Sequence, residues 1–581
     1  MQNKAGFYTT LKRAISYAKP HKMYFILACL FDLVAVGLNT FLPVVMGWGI
    51  DYIVGVNSVD FIGLGRILAI IAVQAIVSAG FEWFAVYFSN ILSNKTSESI
   101  RNLCFEKMNK VPLRFIDNKA HGDIMNTMIN DVDNLADGFL TSIRTVLSGV
   151  VTIITCAGFM LWLKWEMAIL VMALAPLSFL LSWYINKKAH KMYVHRVNMA
   201  GQMSGYCEEM VSNLKVIKAY NNEEESINKF KVINHDLAKY SEKSQFFSTL
   251  AGPCSRFING TLYGIVGSFG AFLGIKNKIT VGQISSFLSY VSNYTAPFAE
   301  FADILADIQV ALASAGRVFD LLDQENVPSD EGKEVLTNCN GNLKLENVCF
   351  SYTPHVKLIE NFNLSVKKGQ HVAIVGPTGC GKSTLINLLM RFYDIEKGKI
   401  IISGKDSSEI TRNSLRSCYG MVLQDSWLYN ATIRENIAYG KGDATMEEII
   451  EASKLAGSHA FIEKLPNGYE TIIEENGDNI SSGQKQLLCI ARIMLLKPPM
   501  LILDEATSNI DTMTEKKIQE AFAYISEGRT SFMVAHRLST IMNADIILVM
   551  NKGNIIEQGT HQELMEKQGF YYNLFNSQFG Q

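Results

Sequence analysis

The 581-residue sequence predicts an α-helical transmembrane domain of six spans followed by a cytoplasmic α/β domain of the P-loop type. Three observations carry that prediction. Long apolar segments crowd the first half of the chain. A glycine-rich loop, Gly376-Pro377-Thr378-Gly379-Cys380-Gly381-Lys382-Ser383-Thr384, follows the strand-like run His371–Val375 and leads into a helical pattern, Leu385–Met390. Further on, Met500-Leu501-Ile502-Leu503 reads as an apolar strand that ends in two carboxylates, Asp504 and Glu505.

An α-helix rises about 1.5 Å per residue, so about 20 apolar residues cross a hydrocarbon layer about 30 Å thick. Segments near 23–50, 66–93, 138–162, 166–186, 248–275 and 281–311 meet that need. Lys and Arg cluster before the first segment (Lys12, Arg13, Lys19, Lys22), after the second (Lys95, Arg101, Lys107, Lys110, Arg114, Lys119) and after the fourth (Lys187, Lys188, Lys191, Arg196). By the positive-inside rule both termini face the cytoplasm. The first apolar run is too long, and its flanks too poor in a cleavage signal, for a removable signal peptide. Residues 3–21 mix apolar and basic side chains and suit an elbow along the inner interface, or a short tail. The connections after spans two and four contain few Gly or Pro residues and predict helical extensions into the cytoplasm. Polar turns are expected to break them around Ile116–Ile124, Asn130–Val132 and Glu208–Tyr220.

The glycine-rich loop fits G-x-x-x-x-G-K-[ST] in its strand–loop–helix context. Gly376, Gly379 and Gly381 let backbone N–H groups close around phosphates at a helix N-terminus, with Pro377, Thr378, Cys380 and Thr384 completing the cradle. Lys382 adds a point charge, and Ser383 is placed to hold Mg²⁺. An apolar strand delivers carboxylates to one fixed point, so Asp504 suits Mg²⁺ and Glu505 suits the water that attacks a terminal phosphorus. ATP and Mg²⁺ are the expected cofactors. A polar linker at 320–340 separates a membrane domain, 1–319, from a nucleotide-binding domain, 341–581, in which strand and helix patterns alternate.

Composition narrows the partners. The ten cysteines show no paired C-x-x-C spacing, which argues against a disulfide framework or a zinc site. A net charge of −2, with no basic block beyond the membrane flanks, argues against nucleic acid.

Six motifs in order make the chain resemble a half-transporter of the ATP-binding cassette (ABC) exporter family over essentially its whole length. They are Tyr352, the loop itself, Gln424 in Val422-Leu423-Gln424-Asp425, Ile480-Ser481-Ser482-Gly483-Gln484, Asp504-Glu505 with Ser508-Asn509-Ile510-Asp511, and His536 in Ala535-His536-Arg537. The resemblance implies that Tyr352 stacks on adenine, that Gln424 coordinates Mg²⁺ and the water, and that His536 hydrogen-bonds the γ-phosphate. It places Asp511 in the nucleotide site. It also implies that Ser481, Ser482, Gly483 and Gln484, at a helix start, meet ATP bound by a second half-transporter, so that function needs a dimer. The cytoplasmic tips at 115–132 and 213–222 resemble coupling elements that turn an inward-facing cavity outward.

One position departs from the family pattern Leu-Ser-Gly-Gly-Gln: Ser482 replaces a glycine. An altered signature beside an intact Glu505 and His536 resembles the catalytically intact subunit of a heterodimeric bacterial exporter. A homodimer that tolerates Ser482 is the alternative. The stretch Glu474-Glu475-Asn476-Gly477 also departs from many homodimers.

Charged and polar residues inside spans are costly in lipid, so Asp32, Asn39, Glu82, Arg144, Asp303 and Asp307 are expected to face the bundle interior, a cavity or each other. Phe31, Trp83, Phe84 and Phe88 either line a cavity, which would suit an amphipathic, drug-like substrate, cationic or neutral, or face lipid. Export of such a small molecule or a lipid across a bacterial plasma membrane is the expected activity. An importer of a metal chelate or peptide, and an ATP-gated channel or regulatory subunit, are the alternatives.

Overall fold

The computed structural model describes residues 4–53, 59–353, 357–423, 426–474, 477, 479–504, 511–534 and 541–579. The chain forms two compact units. Met1–Lys110 and Lys119–Gln324 make the first, and Val111–Asn118 with Glu325–Gln581 the second.

Described residues of the first unit are built on helices α1 (Lys4–Ala18), α2 (Lys22–Asp51), α3 (Phe61–Met108), α5 (His121–Asn126), α6 (Val132–Leu163), α7 (Trp165–Leu174), α8 (Pro176–Ser212), α9 (Leu214–Ala219), α10 (Glu223–Ile275) and α11 (Val281–Leu322), while α4 (Leu113–Asp117) belongs to the second. Among the described residues, four stretches are long and apolar enough to cross a membrane: Thr9–Asp51, Phe61–Met108, His121–Leu163 and Glu223–Ile275. The expected span at 166–186 falls on α7 and the start of α8, and that at 281–311 on α11. Helix α11 runs to Leu322, three residues into the expected linker.

Polar contacts tie these helices where lipid offers no partners. The Tyr290 hydroxyl donates to the Thr40 carbonyl at 2.7 Å, and Ser286 to that of Pro43 at 2.8 Å, which joins α11 to α2. The start of α11 is fixed by a capping box between Thr280 and Gln283. Asp51 accepts from Thr280 Oγ1 and from the Gly282 backbone, each at 2.8 Å. A Cβ at Gly282 would run into the Gly47 carbonyl, so only glycine allows this approach.

The structure corrects one expected break. Asn130-Asp131-Val132 stays helical, with a π turn over Thr127–Asp131. Asp131 is buried rather than exposed at a turn. Its carboxylate accepts from Arg317 Nε at 2.7 Å, Arg317 Nη2 at 2.5 Å and Ser314 Oγ at 2.9 Å, so it joins a buried network with α11. The other breaks occur as expected, at 118–120 and at Asn213 and Tyr220–Asn222. Residues 4–18 form a helix, anchored where Arg13 meets Asp323 at 2.6 Å and lies over the Phe319 ring at 4.3 Å.

The second unit holds two sheets. Strands β1 (Leu343–Phe350), β2 (Ile359–Val366), β4 (Lys397–Ile402) and β5 (Lys405–Asp406) form an antiparallel sheet in the order β2-β1-β4-β5. Strands β3 (His371–Val375), β6 (Tyr419–Val422), β7 (Met500–Asp504), β8 (Thr530–Val534), β9 (Ile546–Asn551) and β10 (Asn554–Gly559) form the second, in the order β10-β9-β3-β8-β7-β6. Within it β3, β6, β7, β8 and β9 run parallel. Their near-continuous apolar sequences follow from burial on both faces. Val372, Ile374, Ile502, Phe532 and Leu548 share one core, while Leu501 and Leu503 join a second with α17 (Ser482–Leu496).

Candidate functional site

The glycine-rich loop leaves the C-terminal end of β3 and feeds α12 (Lys382–Leu389), at the end of a parallel sheet where ligands of α/β folds bind. Three of its glycines have positive φ: Gly376 at 153°, Gly379 at 79° and Gly381 at 105°. At Gly376 a Cβ would collide with the Met550 carbonyl and lie 2.7 Å from Cys380 Sγ. The loop is thus a backbone cradle that side chains would fill. The turn after β9 supports it from behind, because Gly553 N–H donates to the Cys380 carbonyl at 2.8 Å. Cys380 and Thr384 are buried, whereas Pro377, Thr378 and Ser383 lie on its accessible side. Lys382 Nζ donates to the carbonyls of Gly376 at 2.8 Å and Pro377 at 3.2 Å, which holds its charge across the loop. Backbone donors, a helix N-terminus and a lysine fit a polyphosphate.

Strand register places the acidic end of β7. Asp504 pairs with Val534 on β8, and Val534 pairs with Ile374 on β3. Asp504 therefore lies level with the last turnless residues before the loop, two strands away or about 10 Å sideways. Glu505, Gln424 and His536, expected to carry the chemistry, lie outside the described residues.

Tyr352 is half-buried against the core. Its ring meets Phe350 edge-on at 4.9 Å and Tyr393 at 5.0 Å, while its hydroxyl accepts from Asn387 Nδ2 at 3.2 Å. Asn387 stands on α12, so the same helix that opens at the loop also positions the tyrosine. Sequence reasoning missed Asn387 and Tyr393. Tyr393 in turn donates to the carboxylate of Asp117, and burial together with that carboxylate pushes its phenol up, keeping it protonated as a donor.

The signature residues open α17. Ser481 is its N-cap, accepting from Gln484 N–H at 3.3 Å, while Gln484 Oε1 accepts from Ser481 N–H at 2.9 Å. Ser481 and Ser482 are exposed, and Gly483 is buried. Helix α17 packs on β6, where a Cβ at Gly420 would meet Ile493 at 2.6 Å. Strand β6 is three places from β3 in the sheet, so this helix rests about 14 Å to the side of the loop's strand. Asp511 caps α18 (Thr512–Ser526), accepting from Thr514 N–H at 2.9 Å. That backbone donor holds its carboxyl below the usual range.

Within the membrane half Asp32 is buried and lies 3.4 Å from Arg144, so these two costly charges do meet. Asn39 accepts from Ser78 at 2.7 Å. Glu82 and Asp307 are exposed, and the side chain of Asp303 lies outside the description.

Comparison with known proteins agrees with this architecture. Residues 25–298 match the ABC transporter transmembrane region family, and residues 359–508 the ABC transporter family. An uncharacterised ABC transporter ATP-binding protein of Bacillus subtilis is 37% identical over 98% of this chain and 94% of its own. A fatty acid ABC transporter ATP-binding/permease protein of Mycobacterium bovis is 37% identical over 93% of this chain and 85% of its own. A putative multidrug export ATP-binding/permease protein of Bacillus subtilis is 34% identical, over 98% and 99%. With a phosphate cradle on one unit and membrane-crossing helices on the other, the chain belongs to the ABC transporters, as an exporter-type half-transporter and transport ATPase that fuses one transmembrane region to one ATP-binding domain.

Proposed function

We propose that this chain exports an amphipathic small molecule or lipid across a bacterial plasma membrane, with both termini cytoplasmic, by alternating access powered by Mg²⁺·ATP hydrolysis. The observation that carries the ATP half of this reading is the glycine cradle at Gly376–Gly381 with Lys382 across it. When Mg²⁺ is bound, Ser383, Asp504 and Gln424 would hold it, and the ion would neutralise developing phosphate charge. Glu505 would take the proton of the attacking water and His536 would hold the γ-phosphate. Tyr352 would stack on the adenine. Relatives whose names specify multidrug and fatty acid transport support an amphipathic substrate.

The chain would work as a dimer of half-transporters, with the heterodimer favoured. Helix α17 packs on the edge strand β6, and Ser481 and Ser482 stand exposed at its start, which supports their use on the ATP of a second chain. Exposed Leu214, Val216 and Tyr220 on the α9 tip also suit burial by a partner. Ser482 adds a side chain where the signature backbone approaches phosphate, so the site built with it would be the slower one.

Direction is tested with inverted and right-side-out vesicles supplied with ATP and a fluorescent amphipathic dye. Dye accumulation in the inverted vesicles alone supports export. Accumulation against a gradient by the Glu505→Gln variant would refute a hydrolysis-driven pump and favour a gated pathway.

A further inference from the structure

Two of the ten cysteines meet inside the ATP-binding unit. Cys339 lies ahead of β1 and Cys418 directly before β6, and both are free thiols packed on the same apolar core. Their sulfurs are within hydrogen-bond reach of each other. Cys418 is buried and Cys339 half-buried, so of the two Cys339 is the one open to a small reagent.

Donors converge on the Cys339 sulfur. The Cys418 S–H reaches it, with the Ser414 carbonyl at 3.3 Å as its other acceptor. Ser403 Oγ donates to it at 3.6 Å, and because that oxygen already accepts from Asn340 N–H at 3.0 Å, its own proton is left for the sulfur. The Gly341 N–H adds a third donor. Hydrogen bonds to a charged form favour it, so the Cys418 contact first, then Ser403 and Gly341, outweigh burial and hold Cys339 below the ordinary thiol range. The same contact and burial push Cys418 up. One sulfur is thus prepared as a nucleophile, with a protonated thiol beside it in reserve. Burial instead pushes Cys104 up to about 11 and raises Cys489, the setting of an inert thiol.

Tyr419, next in the chain, has its hydroxyl buried with no hydrogen-bond partner among the described residues. Burial pushes its phenol up, and the charge of Cys339 and of Cys418 adds to that, so a protonated O–H stands near both sulfurs. A buried donor without an acceptor is costly, and an oxygen added to Cys339 would supply one.

We propose that Cys339 and Cys418 form a two-cysteine oxidation site for hydrogen peroxide. The Cys339 thiolate attacks one peroxide oxygen, the O–O bond breaks, and the departing hydroxide takes up the proton that Cys339 had released and leaves as water. Cys339 is then a sulfenic acid. Cys418 attacks its sulfur, the S–S bond forms as the S–O bond breaks, and the Cys418 proton leaves with that hydroxide as a second water. The two thiols lose two electrons and two protons, and the peroxide gains them. A thiol reductant reverses the bond by exchange, so it is a reversible mark rather than a structural bridge. Closed, it ties the segment entering β1 to the edge strand β6, on which α17 rests.

The test treats the full chain in nanodiscs with hydrogen peroxide, then alkylates and maps peptides by mass spectrometry. Neither ATP nor transport is involved, so the result stands apart from the export reading. We expect a Cys339–Cys418 crosslink that forms at least tenfold faster than Cys104 or Cys489 is oxidised and that dithiothreitol reverses. In Cys418→Ser, dimedone should capture a sulfenic acid on Cys339, and in Cys339→Ser, Cys418 should stay reduced. Oxidation of wild-type Cys339 no faster than that of Cys104, a crosslink from Cys339 to a different cysteine, or a dimedone adduct on Cys418 in Cys339→Ser would each overturn it. The wild-type rates decide the matter even where a serine variant fails to fold.

Discussion

The phenol of Tyr393 donates a hydrogen bond to the carboxylate of Asp117, 276 residues earlier in the chain. Asp117 ends α4, in the segment Val111–Asn118 that packs as part of the ATP-binding unit although α3 leads into it directly from the membrane half. The Tyr393 ring rests edge-on against Tyr352, whose hydroxyl is bonded to α12. A continuous set of contacts thus runs from the proposed adenine platform to the segment that continues the second span.

Tyr393→Phe deletes only the hydroxyl. A net hydrogen bond is worth about 1 kcal/mol, a factor of about five. The expected outcome is unchanged ATP affinity with substrate stimulation of ATP turnover reduced about fivefold. Titration of turnover with a transported dye checks it, and intact stimulation would show that Asp117 only packs.

Arg317→Ala would leave the Asp131 carboxylate buried without its cation. Breaking a fully buried pair by removing one partner costs about 3–5 kcal/mol, and the cost here falls below that because the Arg317 side chain is half-exposed and Ser314 still donates to Asp131. A clear fall in melting temperature of the detergent-solubilised chain is expected, smaller in Arg317→Lys. Melting within a degree of wild type would contradict the assignment.

Asp394 and Asp330 are expected to contribute to the acid stability of the ATP-binding unit. Burial opposes ionisation of Asp394, but Arg391 and Arg412 outweigh it and hold its carboxyl below the usual range. Burial is likewise overcome at Asp330 by the Arg412 backbone donor and by Lys333. Folded values below unfolded ones mean that the stabilisation is complete above the unfolded value, about 3.9, and is lost as pH falls through the folded values. The urea midpoint should therefore drop below about pH 4. In Asp394→Asn part of that slope should vanish; an unchanged slope would exclude Asp394 from the acid response.

Gly376→Ala forces a Cβ against the Met550 carbonyl, and Lys382→Ala removes the loop's cation. Strain of this kind costs about 1–3 kcal/mol, and the loop must shift besides. Both variants should bind ATP at least tenfold more weakly, read by fluorescent-nucleotide titration. Wild-type affinity in either would place the nucleotide elsewhere.

The shape of the glycine-rich loop was legible because its information is local: nine consecutive residues between a strand and a helix specify it, and Gly376, Gly379 and Gly381 take the positive φ values that such a loop needs. The meeting of Asp32 with Arg144 was legible from the cost of isolated charge in lipid. Asp131 was misread because a polar residue in a charged stretch looks like a turn until its partner, on α11, is known. Asp117 and Tyr393 were invisible as a pair for the same reason, since nothing in either neighbourhood encodes a contact between distant segments.

In the proposed dimer this half-transporter would hydrolyse ATP only in composite sites, and Ser482 would weaken the one it helps to build. The most direct measurement is ATP turnover by the full chain alone in nanodiscs, beside Ser482→Gly and the double variant Ser482→Gly/Glu505→Gln, with ATP binding confirmed for each. Low turnover that rises at least tenfold in Ser482→Gly and disappears in the double variant is the predicted result. Vigorous turnover by the unaltered chain, no faster in Ser482→Gly, would contradict it and mark a self-sufficient homodimer.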